Sequence, residues 1–402
     1  REWYKVLRDF VLSLGFKQSV LDCCLFFSGH GESFRMVYFY VDDILLFTKK
    51  HTNYGRELAD LFFKKFECKD LGQVKRFNGV WVDFLPDFAG VTLHQRVYCE
   101  KIVERFKNWW SYCYNTAKKM PLPQDAQERL AQEENKPVLG DKDFDWYNSF
   151  PFLEMIGASL YLAINTRLDI MYTVCMLARY SRERTVASCK LLAWLFSYLS
   201  GTIHIGITFT SFVGDTFEEV LDLLGFSDAD WASDLRTRRS TAGNVVFACG
   251  GPLAWGSKLM ATIAASSMES EYMASYFLGQ QILYIRNLLG ELSLSLKKPT
   301  PFLMDAMAAI QALRNPTFHA RTKHVAVKWR WLQSHNGNDF DVKHVRSLDM
   351  TADLLTKMPN SHVWSTLLSH LLGHESRLSA DVIQAQERPK DTDFPSKGLG
   401  NP

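Results

Sequence analysis

The chain has 402 residues, of which 47% are hydrophobic and 22% are charged, which is ordinary for globular protein and enough for two or three domains with buried cores. Its formal net charge of +2 excludes a strongly basic nucleic-acid coat, so any phosphate binding must come from local basic patches. The eight cysteines include no C-x-x-C pair, and neither a secretory signal nor an apolar run long enough to span a bilayer is visible. This pattern favours a reducing, intracellular setting without a zinc site.

Residues 1–119 have the pattern of an α+β domain. Apolar residues recur at helical spacing over residues 3–16. The run 34–47 is apolar and β-branched on both sides of Asp42 and Asp43, which predicts two strands joined by a tight acidic turn. Because the chain starts as if in the middle of a helix, without a cap or an initiator methionine, we expect it to be cut from a longer protein. The other predicted elements are helices at 54–66 and 97–110 and strands at 77–84 and 91–93.

Changes in composition divide residues 120–402 into four segments. Residues 120–148 are rich in Pro, Gln, Glu, Asp and Lys, which predicts a linker. Apolar helical patterns fill 149–210, short strands and a long helix predict an α/β domain at 222–360, and the polar residues 361–402 predict a partly disordered tail. The predicted helices are 152–165, 170–181, 187–199 and 267–289, and the predicted strands are 226–229, 245–249, 253–255 and 302–304.

The adjacent carboxylates Asp42 and Asp43 are the first candidate site. Two such groups at a hairpin tip repel each other unless they are solvated or bind cations, so a pair of divalent metal ions would explain them. A solvated acidic turn is the alternative, and it is the usual explanation of an isolated Asp-Asp pair. The apolar strands on both sides favour the metal site.

Carboxylates spread over the last domain form the second candidate. Asp228 and Asp305 end predicted strands, Glu269 and Glu271 start the long helix, and Asp353 lies in a short helical segment. If they converge, they would hold two Mg²⁺ ions about 4 Å apart, one activating a water and the other stabilising the leaving oxygen of a phosphodiester displacement. Taken singly, each residue is better explained by a structural role, Glu269 and Asp353 as helix-start charges and Asp228 and Asp305 as strand-end turn residues.

A basic and aromatic stretch is the third candidate. Cations interleaved with rings can grip phosphates and cover sugars. A solvated helix face explains the pattern equally well, and the same alternative applies to Arg236, Arg238 and Arg239. The stretch comprises Arg314, His319, Arg321, Lys323, His324, Lys328, Trp329, Arg330 and Trp331.

The order and spacing of several motifs carry a family resemblance. In the first half these are Tyr40–Asp43, Ile156–Leu162, Asn165–Ile170 and Tyr198–Thr202. In the second half they are Ser227–Ala232, Thr237–Gly243, Ser266–Ala274, Asn315–His324 and Ala352–Lys357. Over nearly its whole length the chain resembles the copia-type, Pseudoviridae-like Pol polyproteins of LTR retrotransposons, from inside the reverse transcriptase to the C-terminus of the ribonuclease H.

The resemblance implies a multidomain α+β and α/β fold, in which a partial reverse-transcriptase palm with the start of the thumb and a connection precedes a ribonuclease H-like domain. It also implies two-metal hydrolysis of RNA in RNA–DNA hybrids, with two Mg²⁺ or Mn²⁺ ions per ribonuclease H site. The implied catalytic and metal-binding residues are Asp228, Glu271, Asp305 and Asp353, together with Asp42 and Asp43 at the polymerase motif. Glu271 is preferred because Glu271–Ala274 is similar to the Glu-apolar-Met-Ala helix of ribonucleases H, and Glu269 stays the alternative metal ligand.

The implied partners are an RNA–DNA hybrid, an RNA template and DNA, without a membrane, and the implied polyprotein neighbours are protease, integrase and Gag. The implied localisation is cytoplasmic, in virus-like particles, and nuclear. The side chains expected to contact nucleic acid are Arg238, Arg239, Arg321, Lys323 and His324.

Departures from the family pattern leave two hypotheses open. Polymerases of this kind use a third carboxylate from a strand well upstream of the hairpin, so we expect DNA synthesis to be lost by truncation. Asn78, Leu168 and Ala306–Met307 stand where the family has Leu, Pro and Asn-Gln, and an unpaired Asn78 buried in a strand would cost a few kcal/mol. The alternative to an active ribonuclease H is therefore a catalytically inactive transposon relic that at most binds nucleic acid.

Overall fold

The computed structural model describes residues 2–48, 53–132, 137, 140–210, 221, 223–314 and 323–373, and of residues 32 and 323–325 only the backbone. Among these residues, no helix combines the length and apolar character needed to cross a bilayer. The strands of this part of the chain form three sheets.

Residues 2–48 and 53–65 form an antiparallel sheet covered by two helices. The elements are α1 (Glu2–Ser13), β1 (Lys17–Gln18), β2 (Leu25–Ser28), β3 (Arg35–Tyr40), β4 (Asp43–Thr48) and α2 (Tyr54–Lys65). Leu7 and Val11 of α1 and Leu58 and Phe62 of α2 are four residues apart, so each pair lies on one helix face and is buried against the sheet. The predicted hairpin with an acidic tip is confirmed, because β3 pairs with β4 up to Tyr40 and Asp43.

A second antiparallel sheet joins segments that are distant in sequence. Its strands are β5 (Arg76–Phe77), β6 (Val80–Phe84), β7 (Gly90–His94) and β8 (Gly206–Thr210). Strand β8 pairs with β7, with Ile207 opposite Leu93. The end of the predicted helical connector therefore returns to the predicted palm.

Asn78 occupies a turn in this sheet. The predicted strand 77–84 is split by Asn78 and Gly79, whose φ angles are 46° and 80°, and Phe77 pairs with Val80 across them. Asn-Gly is the preferred sequence for such a two-residue hairpin turn. The expectation that Asn78 is a buried and destabilising strand residue is therefore wrong.

Helices fill the middle of the chain. They are α3 (Arg96–Arg105), α4 (Lys107–Cys113), α5 (Ala126–Ala131), α6 (Phe144–Ser149), α7 (Phe152–Asn165), α8 (Met171–Ala178) and α9 (Val186–Gly201). Two of them, α5 and α6, fall in the segment predicted as a linker, where Leu122, Trp146 and Tyr147 are buried in the core. The described part of this segment thus packs with the helices around it.

The C-terminal sheet is mixed, and the prediction of an α/β domain here is confirmed. Its elements are β9 (Leu224–Asp230), β10 (Thr241–Ala248), β11 (Gly251–Leu259), α10 (Ser267–Glu291), β12 (Thr300–Met304), α11 (Met307–Arg314), α12 (Lys323–His335) and β13 (Phe340–His344). In the order β11-β10-β9-β12-β13, the first three strands are antiparallel and the last three parallel. The carboxyl ends of β9, β12 and β13 therefore meet at one edge.

A further helix, α13 (Ser361–Leu371), lies in the segment predicted as a tail. Trp364, Leu367 and Leu371 are buried in the same apolar cluster as the helices α3 to α9 and part of the C-terminal sheet. The predicted tail therefore contributes to the core as far as this helix, and residues 374–402 lie outside the described residues.

Candidate active site

Two parallel strands bring Asp228 and Asp305 together. Strand β9 is central in the sheet, and its Gly225 lies opposite Phe302 of β12. Asp228 and Asp305 each follow this pair by three residues, so they lie side by side at the carboxyl edge of the sheet. Asp228 is buried, and Asp305, which follows β12 directly, is half-buried.

Helix α10 adds Glu271 to this pair. One carboxylate oxygen from each of Asp228, Glu271 and Asp305 can be chosen so that all three lie within 4.8 Å of one another. Glu269 is used differently. Ser266 caps the helix by accepting a hydrogen bond from the Glu269 amide, and the Glu269 carboxylate accepts one from the Ala265 amide at 2.8 Å. The predicted alternative ligand Glu269 thus caps the helix start, while Glu271 lies in the acidic cluster.

The cluster carries more negative charge than its surroundings neutralise. Burial, and then the charges of Asp228 and Asp305, raise the pKa of Glu271 well above its usual range. Its Oε2 is buried, and no described residue gives it a hydrogen bond. A buried carboxylate oxygen without a donor is costly unless it is protonated or bound to a cation. The all-oxygen donor set fits hard cations such as Mg²⁺ and Mn²⁺.

Asp353 reaches the cluster through a short 3-10 segment, Thr351–Leu355, that packs on β10. Gly243 permits this approach, since a Cβ there would lie 2.6 Å from the Thr356 methyl group. Burial, and then the charge of Asp228, raise the pKa of Asp353 to about 8. The Lys357 Nζ lies 3.0 Å from Asp353 Oδ1 and 4.0 Å from Asp228 Oδ2.

Three side chains at this site were not assigned a role from the sequence. Thr356 donates to Asp228, Ser347 donates to Asp305 Oδ2 at 2.8 Å, and Lys357 pairs with Asp353. The four-residue spacing of Asp353 and Lys357 is a signal for an ion pair on a helical turn and could have identified Lys357. Nothing in the sequence singles out Ser347.

Asp42 and Asp43 lie apart from this cluster, at the tip of the first hairpin. Val41 and Asp42 form the turn, both carboxylates are exposed, and Val41 has a φ of 56°. Positive φ is strained for a β-branched residue, and such strain is often found at functional turns. Trp3 Nε1 donates to the Val41 carbonyl at 3.1 Å. Within the residues that the structure describes, no third metal-binding side chain forms a cluster with this pair.

Two of the predicted nucleic-acid contacts lie in the loop between β9 and β10. Arg238 is exposed and Arg239 half-buried. Asp234 organises the loop by accepting a hydrogen bond from the Thr237 amide at 2.8 Å and pairing with Arg179 at 2.9 Å. Of the other predicted contacts, Arg321 and the side chains of Lys323 and His324 lie outside the described residues.

The aromatic residues of the third candidate belong to the packing of α12 on α10. Trp329 is buried and contacts Tyr272, with ring centroids 4.2 Å apart. Trp331 packs edge-on against Tyr276. The hypothesis that Trp329 covers nucleic-acid sugars is therefore wrong, because the ring is part of the core.

Comparison with known proteins gives matches along the chain. Residues 1–120 match the family described as reverse transcriptase (RNA-dependent DNA polymerase). The Retrovirus-related Pol polyprotein from transposon TNT 1-94 of Nicotiana tabacum is 28% identical over 89% of this chain, and that from transposon RE1 of Arabidopsis thaliana is 31% identical over 89%. The chain spans about a quarter of these relatives, 26% and 23% of their lengths. Among solved structures, LC11-RNase H1, isolated from compost, is similar over 37% of this chain and 98% of that chain, with 13% identity and a TM-score of 0.26.

Proposed function

The chain belongs to the copia-type Pol polyproteins of retrotransposons, as part of their reverse-transcriptase and ribonuclease H region, and on this premise we propose that it hydrolyses the RNA strand of RNA–DNA hybrids. The observation that carries the proposal is the convergence of Asp228, Glu271 and Asp305 within 4.8 Å. Three carboxylates from two strand ends and a helix have no structural need to meet in a partly buried position. Holding cations for phosphodiester hydrolysis explains their meeting.

The four carboxylates of the site would have different roles. Asp228 and Asp305 would hold Mg²⁺ or Mn²⁺ directly, Glu271 would hold one ion and position the scissile phosphate, and Asp353 would complete a two-ion site on the nucleophile side. Bound cations would supply the positive charge that activates the water and stabilises the leaving oxygen. The water oxygen forms a bond to phosphorus while the bond from phosphorus to O3′ breaks. One RNA fragment keeps a 3′-hydroxyl and the other a 5′-phosphate.

Basic side chains outside the cluster would hold the hybrid. Arg238 and Arg239 lie in the loop that follows β9, the strand carrying Asp228. Contacts from such residues to phosphates fix the register of a duplex without selecting a sequence. Arg321, Lys323 and His324 stay predicted contacts of the same kind.

The test is cleavage of a labelled RNA strand, annealed to DNA, by the full chain with Mg²⁺ or Mn²⁺. We expect Asp305→Asn to abolish cutting, because it removes one negative ligand of the cluster while keeping the shape of the side chain. Asp341→Asn is the matched control. Asp341 lies on the neighbouring strand β13, half-exposed beside Lys343, and its loss should leave cutting unchanged.

The outcomes separate the two hypotheses for this chain. Metal-dependent cutting that is lost in Asp305→Asn and kept in Asp341→Asn supports the ribonuclease H. A folded chain that does not cut the hybrid with either metal would support the inactive relic. Primer extension on an RNA template tests the other activity, and we expect none from this chain, since no third carboxylate joins Asp42 and Asp43 among the described residues.

A further inference from the structure

Lys357 places a positive charge inside the acidic site. Its Nζ is 3.0 Å from Asp353 Oδ1 and 4.0 Å from Asp228 Oδ2, and 43% of the side chain is exposed. The ammonium group therefore bridges two of the four carboxylates as a cation.

The two sides of the site differ as a result. On one side, Glu271 Oε2 is buried and accepts no hydrogen bond from any described residue, so this side has a free ligand atom. On the other side, the Asp353 carboxylate already has a cation at ion-pair distance. Two positive charges cannot share the same carboxylate oxygens without strong repulsion.

We propose that Lys357 occupies the position of the second divalent cation and must be displaced before that ion binds. The inference rests on the proposed ribonuclease H function and adds the order in which the two metal ions bind. The first ion binds at Asp228, Glu271 and Asp305 without moving Lys357. The second ion binds between Asp228 and Asp353 only when the Lys357 ammonium swings out, which its partly exposed side chain permits.

Lys357 thus regulates the passage from the one-ion to the two-ion site. Without metal, its ammonium group lies beside the Asp353 carboxyl group. With one ion bound, it acts as a competitor that weakens the second binding step. An ordinary surface ion pair would have neither effect, because its carboxylate would not also be a ligand for a divalent ion.

The experiment is titration of the full chain with Mn²⁺ alone, in the absence of nucleic acid, with free Mn²⁺ followed by electron paramagnetic resonance. The variant is Lys357→Gln, and the matched control is Lys343→Gln, which removes a partly exposed lysine 3.7 Å from Asp341 on β13. We expect Lys357→Gln to tighten the weaker Mn²⁺ site by about tenfold, a modest effect for removing a like charge near the ion, and to leave the tighter site unchanged. Lys343→Gln should match the parent chain at both sites.

Further outcomes separate this proposal from the function on which it rests. If the parent chain and Lys357→Gln bind two Mn²⁺ ions with the same affinities, Lys357 does not compete and the proposal is overturned. If the parent chain binds no Mn²⁺ at the tighter site, the proposed function itself fails. Lys357→Arg keeps the positive charge and should keep the weak second site, and a tighter second site in this variant would also overturn the proposal.

Discussion

Thr356 donates a hydrogen bond from its Oγ1 to Asp228 Oδ2 at 2.5 Å, and both side chains are buried. The donor comes from the end of the 3-10 segment that carries Asp353, and the acceptor comes from the central strand β9. One hydroxyl therefore fixes the orientation of Asp228 and ties two parts of the acidic cluster together. Its removal should affect stability and cation binding at the same time.

Replacing Thr356 by Val tests this link. The substitution keeps the branched shape but removes the donor, so Asp228 loses a buried hydrogen bond, and we expect the free energy of unfolding in EDTA to fall by about 1–2 kcal/mol. Hybrid cleavage should fall as well, because Asp228 is less well oriented. Urea unfolding and the cleavage assay measure the two effects. Thr173→Val is the control, since no described residue bonds the buried Thr173 hydroxyl, and an equal loss in this variant would contradict the role given to Thr356.

The stability of the metal-free chain should depend on pH in a defined direction. Burial, and then the charge of Asp228, raise the pKa of Asp353 from 3.8 to about 8, so the folded state holds this proton more tightly than the unfolded state. This contribution to stability is complete below about pH 4 and is lost as the pH rises to about 8. Glu271 is shifted in the same direction.

Divalent cations should reverse this trend, because they bind the ionised carboxylates. We expect the gain in melting temperature on adding Mg²⁺ to be small at about pH 5 and large at about pH 8. Thermal unfolding in EDTA and in Mg²⁺ at both pH values measures the difference. Asp353→Asn should flatten the metal-free profile, and a gain from Mg²⁺ that is the same at both pH values would refute the assignment.

The motif Asn165–Ile170 has a structural explanation. Arg167 and Asp169 are each 1% exposed, and the guanidinium donates two hydrogen bonds to the carboxylate at 2.9 and 2.8 Å. Tyr198 donates a third to Asp169 Oδ2 at 2.8 Å. The pair fastens the start of α8 to the middle of the helical layer, so its role is packing and orientation.

Asp169→Asn would leave the Arg167 charge buried and uncompensated. We expect the free energy of unfolding to fall by about 3–5 kcal/mol, the range for breaking a buried pair from one side. Urea denaturation followed by circular dichroism measures the loss. Asp125→Asn removes a partner of Arg129 in an exposed pair at 2.9 Å, and its cost should stay below about 1 kcal/mol. Similar losses in the two variants would mean that burial does not determine how much an ion pair contributes to the free energy of unfolding.

Local pattern predicted much of the fold, because hydrophobic periodicity depends on neighbours along the chain. The apolar pattern predicts a long helix at 267–289, and α10 extends over Ser267–Glu291. The apolar flanks of Asp42 likewise predict the tip of the first hairpin. At Asn78 the local turn signal of Asn-Gly outweighs the strand expected from the family residue Leu, because both turn residues adopt positive φ angles.

Tertiary contacts account for what the sequence could not predict. The choice between Glu269 and Glu271 depends on which side chain caps α10 and which lies beside Asp228, and this is decided by how the helix packs on the sheet. Trp329 looks like an exposed ring among cations in the sequence, but its burial follows from the position of α12 on α10. The pairing of β7 with β8 joins residues more than a hundred positions apart, and short-range periodicity carries no information about such contacts.

The same long-range packing predicts that the C-terminal sheet is not an independent unit. Trp255 Nε1 of β11 donates to the Ala163 carbonyl of α7, and the Thr208 amide of β8 donates to the Leu372 carbonyl, both at 2.9 Å. Apolar residues of α3 to α9 share one buried cluster with Phe226 and Leu303 of the sheet. The first antiparallel sheet instead has a separate core formed by α1 and α2.

Two truncations test this difference in connectivity. Removal of residues 1–70 deletes the separate core. It also removes hydrogen bonds from Ser19 and Val20 to Glu291 and the ring contacts of Tyr38 and Tyr40 with Phe77. The shared apolar cluster stays intact, so the remaining chain should unfold cooperatively and keep its hybrid cleavage. A fragment of residues 223–373 would expose the face of the sheet that packs on α7 to α9, and we expect it to aggregate or to lose cooperative unfolding. Thermal unfolding by circular dichroism and cleavage of the labelled hybrid measure both. A fragment 223–373 that melts at the temperature of the longer chain would contradict this prediction. It would show that packing against the helices does not stabilise the sheet.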